Sequence, residues 1–148
     1  MKLRTLFNSP IKITALTVAA LPLLTAISAS NVMAEVIDVK VTNLTQGMYF
    51  TPLLITAHAD TTDLFEIGDS ASADIQAMAE GGDVSGLVTL ADSVGAVSSE
   101  NPASGVLAPA ASTMVTNMAT GANDRLSIVA MLLPTNDGFV GLDSWKIP

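Results

Sequence analysis

The segment Arg125–Leu133 constrains the fold most, because it is apolar at almost every position: Arg-Leu-Ser-Ile-Val-Ala-Met-Leu-Leu. A strand built from it must be covered on both faces, which predicts a central strand in a two-layer core. Residues 134–138 follow as a turn, since proline ends a ladder and Asn, Asp and Gly tolerate left-handed backbone conformations. Residues 139–147 return as a second strand, whose Phe139 and Trp145 are expected to fill the core.

Three further segments predict strands because they contain alternating or β-branched residues: 35–43, 48–59 and 112–118. Pro52 interrupts the second of them and is expected at an edge or a bulge, since proline cannot donate to a ladder. Residues 86–90 predict a brief strand. The remaining connections read as loops or turns at 43–47, 60–63 and 92–111.

One helix is predicted over residues 70–80, with Ser70 or Ser72 as its cap and Gly81-Gly82 as its end. Its apolar stripe consists of Ala71, Ile75, Met78 and Ala79. Several short strands with regular turn signals and one short helix predict an all-β fold, an antiparallel β-sandwich.

The N-terminus has the order of a secretory signal peptide over residues 1–34. Basic residues precede an uncharged apolar run at 13–27, and residues 32–34, Val-Met-Ala, provide a cleavage site before Glu35. The alternative is an uncleaved membrane anchor, but the run is short for a span and Pro22 interrupts it. A lipoprotein is disfavoured because there is no cysteine to acylate. The chain is therefore expected to be secreted or periplasmic, without a membrane span after cleavage.

The segment from Glu35 onward is strongly acidic, because it contains all 14 acidic residues and only three of the 6 basic ones. Such a surface repels nucleic acid and anionic membranes and suits cations or basic partners. It also simply keeps an exported protein soluble. With no cysteine and one histidine, disulfides and thiol catalysis are excluded and a zinc site is disfavoured.

Several short motifs are spread along the chain. Residues 125–143 contain a strand with Met, a Pro-x-x-Asp turn and Phe-Val-Gly. Residues 51–58 run from a Pro to a His. Residues 64–68, 71–72 and 78–82 contain a Phe-x-x-Gly, an Ala-Ser and an Ala-Glu-x-Gly pattern. In this order the motifs resemble those of the spondin N-terminal domain family, and the resemblance covers nearly the whole chain after the leader.

This resemblance implies an eight-stranded, C2-like antiparallel β-sandwich. It also implies a secreted protein of the cell-adhesion type, with a calcium ion at one end of the sandwich. The aspartate of the Pro-x-x-Asp turn is a calcium ligand in the family, and its match here is Asp137. The other family ligands follow the Phe-Val-Gly strand in an acidic loop. The sequence ends at Pro148, before that loop, so the C-terminal part of the family domain is expected to be missing from 35–148 and the calcium site to be incomplete.

Asp137 has an alternative role in the turn itself, where its carboxylate would accept backbone N–H bonds. Calcium takes six to eight oxygen ligands. Asp137 alone, even with help from Asp143 or Asp124, falls short of that number, so the turn role is favoured.

Two other groups of residues merit attention as catalytic candidates. His58 is expected to be structural and to bond the backbone or a carboxylate such as Glu80, because no nucleophile elbow accompanies it. Glu66, Glu80 and Asp83 are paired-carboxylate candidates for glycoside hydrolysis, but their separation decides that chemistry.

The sequence therefore predicts an interaction or adhesion-type binding module and not an enzyme. Its partner would be an extracellular or envelope protein or a surface ligand, with calcium as a candidate cofactor. Two alternatives stay open: a hydrolase that uses acidic residues around Asp137, and a structural envelope protein without a small ligand.

Overall fold

The computed structural model describes residues 35–148, and the predicted signal peptide lies outside them. These residues form seven strands and two helices. In chain order they are β1 (Glu35–Thr42), β2 (Tyr49–Phe50), β3 (Leu54–His58), α1 (Ala73–Gly81), α2 (Ser85–Ser93), β4 (Val97–Glu100), β5 (Ser112–Gly121), β6 (Arg125–Leu133) and β7 (Phe139–Lys146). All pairings are antiparallel and make two sheets, so the predicted all-β sandwich is confirmed.

The larger sheet centres on β6, as the apolar pattern of this strand predicted. Strand β7 pairs with one edge of β6, and β2 and β3 pair with the other, while β4 extends the sheet beyond β3. Strands β2 and β3 are the predicted strand 48–59, interrupted around Pro52 as expected for proline. At the interruption the Thr51 hydroxyl accepts the Met131 N–H at 3.0 Å, which replaces a ladder bond.

Both faces of the larger sheet are covered, which gives three layers. On one face the smaller sheet of β1 and β5 packs against β3 and β6, through Val39, Ile55, Ala57 and Met118. The helices cover the opposite face, through Leu54, Ile75, Met78, Leu87 and Val129. Every residue of β3 is buried, because each of its two faces contacts a different layer.

Helix α1 confirms the predicted helix, although it begins at Ala73. The Ser72 hydroxyl caps it by accepting the Ile75 N–H at 3.2 Å. Gly82 ends it with a left-handed backbone at φ 69°, and the Gly82 N–H donates to the Met78 carbonyl. Its buried side chains are Ile75, Met78 and Ala79, whereas Ala71 precedes the helix and is exposed.

Helix α2 overturns the predicted strand at 86–90, so the domain has two short helices and not one. The Asp83 carboxylate accepts the Ser85 N–H at 2.9 Å, and Leu87 and Ala91 pack inward one turn apart. Strand β4 overturns part of the predicted loop at 92–111, because Val97–Glu100 pairs with β3.

Trp145 is 63% exposed, so its predicted place in the core is wrong. It lies on β7, which pairs with β6 and with no other strand among residues 35–148, and a register shift separates its pairing with Leu126 from the rest of the ladder. Phe139 is partly buried, and its ring packs edge-on against Phe65 with centroids 5.3 Å apart. Within residues 35–148, no helix is long and apolar enough to cross a membrane.

Candidate functional site

Asp137 lies in the turn between β6 and β7, but it does not hold that turn together. The Thr135 hydroxyl does so: it donates to the Leu132 carbonyl at 2.6 Å and accepts the Gly138 N–H at 3.0 Å. The exposed Asp137 carboxylate makes no hydrogen bond with any other part of the described chain. The expectation that Asp137 serves the turn is therefore wrong, and its oxygens face solvent.

Asp137 lines a cavity of about 360 Å³ together with α1. The polar side chains that α1 contributes are Gln76 and Glu80, which lie on one helix face because they are four residues apart. Two carboxylates and one amide supply at most about five oxygens, fewer than calcium usually takes. Among residues 35–148, no group of three or more His, Asp or Glu side chains could hold a metal ion.

Neither Asp124 nor Asp143 can add to this cavity. Asp124 precedes the nine-residue strand β6 and Asp137 follows it, so the length of the strand, about 30 Å, separates them. Asp143 lies four residues along β7 from Phe139, about 13 Å away. Asp124 lies instead beside Arg125, with Oδ1 3.8 Å from Nε. Asp143 Oδ1 is enclosed and has no hydrogen-bond partner among the described residues.

His58, at the end of β3, is 1% exposed and has a partner for each ring nitrogen. Its Nδ1 lies 2.9 Å from the Ala59 carbonyl, which can only accept, so we assign the proton to Nδ1. Its Nε2 lies 2.8 Å from the Ser127 hydroxyl and accepts from it. The predicted backbone bond of His58 is confirmed, and Ser127 takes the place of the suggested carboxylate Glu80.

The contact between His58 and Ser127 belongs to a buried polar network that joins three strands. Ser127 is fully buried, and its oxygen accepts the Ser144 N–H of β7 at 2.9 Å. The Ser144 hydroxyl donates to Asp63, in the loop that follows β3. A substrate carbonyl cannot reach the fully enclosed Ser127 oxygen. The His58–Ser127 contact therefore has a structural role: together with the Ser144 N–H it connects β3, β6 and β7.

The three carboxylates proposed as catalytic partners do not all line one cavity. Glu66 lines a cavity of about 260 Å³ that adjoins the cavity of Asp137 and Glu80, since Ala71, Ile75 and Phe139 line both. Asp83 lies at the start of α2, where hydrogen bonds from the Ser85 side chain and backbone lower the pKa of its carboxyl group. Asp83 lines neither of these two cavities.

A second surface feature was missed by the sequence reasoning: a groove between β1 and β7, here called the seam. Two cavities of about 530 and 320 Å³ form it and share Ile128 and Leu142 as their floor. The apolar residues that line its larger half are Ile37, Val39, Leu126, Ile128, Leu142, Trp145, Ile147 and Pro148, and the charged ones are Asp38 and Lys40. The alternation of apolar and polar residues in β1 and β7 indicated which side chains point inward. It did not indicate that the space between these two strands stays open.

A family model described as Spondin_N matches residues 42–147, well over half of the chain. The chain belongs to the spondin N-terminal domain family. The match extends from the end of β1 to the end of the described sandwich and includes the Asp137 turn, so the resemblance seen in the sequence motifs is confirmed. A search of curated protein sequences returned no match. Membership of the spondin family indicates an extracellular binding or adhesion-type module.

Proposed function

We propose that this spondin domain is a non-catalytic module that binds a protein or another ligand on a cell or envelope surface. The observation that carries the proposal is the family match over residues 42–147. The buried Ser127–His58 pair supports it, because an enclosed serine and histidine present no nucleophile to a substrate.

Export is the first part of this proposal to test. The full chain would be expressed in a bacterial host, the cells fractionated, and the mass of the purified protein measured. We expect protein in the periplasm or the medium with Glu35 at its N-terminus. Protein that stays in the cytoplasm with residues 1–34 attached would contradict an exported function.

Binding is the second part. Fluorescently labelled protein would be titrated onto envelope preparations and extracellular matrix fractions, with a heat-unfolded sample as the control for nonspecific adsorption. We expect saturable binding by the folded protein that protease treatment of the surface reduces. Without saturable binding, the alternative of a purely structural envelope component is favoured.

We also propose that calcium binds weakly at the cavity of Asp137 and Glu80. Both carboxylates line this cavity, and the Asp137 oxygens have no competing partner in the described fold. Two carboxylates suit the weak end of calcium affinities, about 1 mM. At about 10 mM calcium, such binding would stabilise the native state by about 1.4 kcal/mol.

A calcium titration followed by thermal melting tests this site. We expect calcium to raise the melting temperature of the wild type by a few degrees more than magnesium does. Asp137→Asn and Glu80→Gln should each remove the difference, while Asp69→Asn, elsewhere on the acidic surface, should keep it. Equal effects of calcium on all four proteins would mean general charge screening and would rule out this site.

A further inference from the structure

His58 is the single histidine of the chain, and no other titratable side chain among residues 35–148 is buried. Histidine is the side-chain type that gains a charge as the pH falls from about 8 to about 5. A proton taken up by this enclosed ring puts a positive charge inside the fold, which is costly unless acceptors surround it. The hydrogen bonds of the ring therefore decide how the fold responds to acid.

The neutral ring of His58 fits its surroundings with no hydrogen left over. Nδ1–H donates to the Ala59 carbonyl, and Nε2 accepts the Ser127 hydroxyl. The Ser127 oxygen in turn accepts the Ser144 N–H. A proton on Nε2 makes that atom a second donor, so three hydrogens then meet at one oxygen: the new one, the hydroxyl's own and that of the Ser144 N–H. The Ser127 hydroxyl has no other acceptor among residues 35–148, so the charged ring leaves one donor unsatisfied.

The charged side chains around His58 do not supply the missing acceptor. On β6, Arg125 lies directly opposite His58 in the ladder and is itself a cation, 3.8 Å from Asp60 and from Asp124. Asp63 is bonded to β7 and not to the ring. The other charged residues of the strands and the helix around β3 are Asp143 and Lys146 on β7, Glu100 on β4 and Asp92 on α2. The ring nitrogens bond only Ala59 and Ser127 within the described chain.

Ser144, at the far side of this network, is held in a strained conformation. It lies within β7 with a left-handed backbone, φ 43°, which is unfavourable for a residue that has a side chain. The ladder between β6 and β7 shifts register here, and the Ser127 oxygen accepts the Ser144 N–H in place of a strand carbonyl. The Ser144 hydroxyl donates to Asp63, which holds the loop after β3 against β7. A strained conformation persists only while its surroundings fix it.

We propose that His58 is an acid-operated latch between β3 and β7. At neutral pH the uncharged ring fixes Ser127, and Ser127 fixes Ser144 and the loop bonded to it. In acid, His58 takes up one proton, its contact with Ser127 breaks, and Ser144 relaxes from the left-handed conformation. The loop after β3 then separates from β7, and the cavity of about 260 Å³ that this loop lines with Phe139 changes shape. The latch is independent of the binding function proposed above.

Hydrogen exchange of the untagged full chain, followed by mass spectrometry at pH values of about 7.5, 6.5 and 5.5, tests the latch. After correction for the intrinsic pH dependence of exchange, we expect peptides from β7 and from the loop after β3 to exchange faster in acid. Uptake of one proton raises the opening equilibrium by up to about ten-fold per pH unit. Peptides from β5, which makes no contact with the network, should keep their exchange rates and serve as the internal reference.

His58→Gln is the matched control variant, because its amide oxygen can accept the Ser127 hydroxyl but cannot take up a proton in this pH range. We expect its β7 and loop peptides to exchange equally at all three pH values. A rise in the variant equal to that of the wild type would overturn the inference and assign the acid effect to the surface carboxylates.

NMR of the wild type tests the same latch without any substitution, so the result does not depend on whether His58→Gln folds. The chain has one histidine, so its imidazole Hε1 signal reports the charge of this ring alone. We expect the signal of the charged ring to appear together with a shifted Ser144 amide signal. A ring that becomes charged while the Ser144 amide keeps its neutral-pH signal would refute the latch, because the closed network would then hold the charged ring.

Discussion

Asn43 shows how one residue joins the loops at an end of the sandwich. It is fully buried, and its Nδ2 donates to the Met48 and Leu107 carbonyls at 2.8 and 3.0 Å. Its Oδ1 accepts the Thr45 N–H at 3.0 Å and the Thr45 hydroxyl at 2.7 Å. All hydrogen-bonding positions of the amide are thus used, which connects the β1–β2 loop to the segment before β5.

We predict that Asn43→Asp destabilises the fold by about 2–3 kcal/mol, because it removes the two hydrogen bonds that Nδ2 donates and places a buried carboxylate against the Met48 and Leu107 carbonyl oxygens. Urea unfolding at neutral pH measures the loss. Asn136→Asp, the same change in an exposed turn, is the control and should alter stability by less than about 0.5 kcal/mol. Similar midpoints for the two variants would show that the amide contacts of Asn43 are not needed.

At the scale of an element, the end of α1 offers two neighbouring glycines with different backbones. Gly82 has φ 69° and lies against the Thr51 side chain, with 3.2 Å between an added Cβ and Thr51 Cβ. Gly81 is helical, and an added Cβ there meets nothing within 4 Å.

We predict opposite effects of alanine at these two positions. Gly82→Ala should destabilise the domain by about 1–2 kcal/mol, because a left-handed backbone is costly for a residue with a Cβ. Gly81→Ala should be neutral or stabilise by up to about 1 kcal/mol, since alanine favours a helix over glycine. Chemical denaturation of both variants provides the comparison, and a stabilising Gly82→Ala would contradict the assigned helix end.

The contribution of Asp83 to stability, at the start of α2, depends on pH. The Ser85 side chain and backbone lower the pKa of its carboxyl group in the folded state. A lowered folded pKa means that the stabilising effect is present above the unfolded value, about 3.9, and is lost as pH falls through the folded value.

We therefore predict that Asp83→Asn lowers the melting temperature at pH 6 but brings little or no loss at pH 2.5. Melting curves of both proteins at matched ionic strength measure this difference. Asp69→Asn, measured alongside, corrects for the removal of one surface charge. A loss that stays constant over this pH range would mean that the ionised carboxylate does not matter at the start of α2.

The sequence predicted those elements whose own pattern is sufficient to define them. The apolar run Arg125–Leu133 gave β6 with both boundaries, and the Ser72 cap with Gly81-Gly82 gave α1. Helix α2 was missed because Val88 and Thr89 favour a strand, although Asp83 before Leu87 and Ala91 was a helix signal. Strand β4 has no strong signal of its own, since Val97–Glu100 becomes a strand by pairing with β3.

At the scale of the whole molecule, long-range contacts decide which surfaces remain open. The sequence identified Asp137 as a candidate calcium ligand but did not place Glu80 beside it. The cavity joins the Asp137 turn to α1, and these segments lie far apart in the chain. It also assigned Trp145 to the core, because tryptophan is large and apolar. That assignment failed because burial of Trp145 would need a second strand neighbour, which β7 lacks among the described residues. Residue type alone therefore does not show which side chain lies beside Asp137 or whether Trp145 is buried.

The three layers share the central strands, so we predict that they unfold as one unit. Leu54 contacts the helical layer and Ile55 the smaller sheet, and both are fully buried. Leu54→Ala and Ile55→Ala should each cost about 2–5 kcal/mol, while Val36→Ala, at a site 55% exposed, should cost under about 1 kcal/mol. Far-UV circular dichroism and Trp145 fluorescence should give coincident urea transitions for every variant. A separate early loss of helical signal in Leu54→Ala would mean instead that the helices are an independent layer, which the fully buried strand β3 argues against.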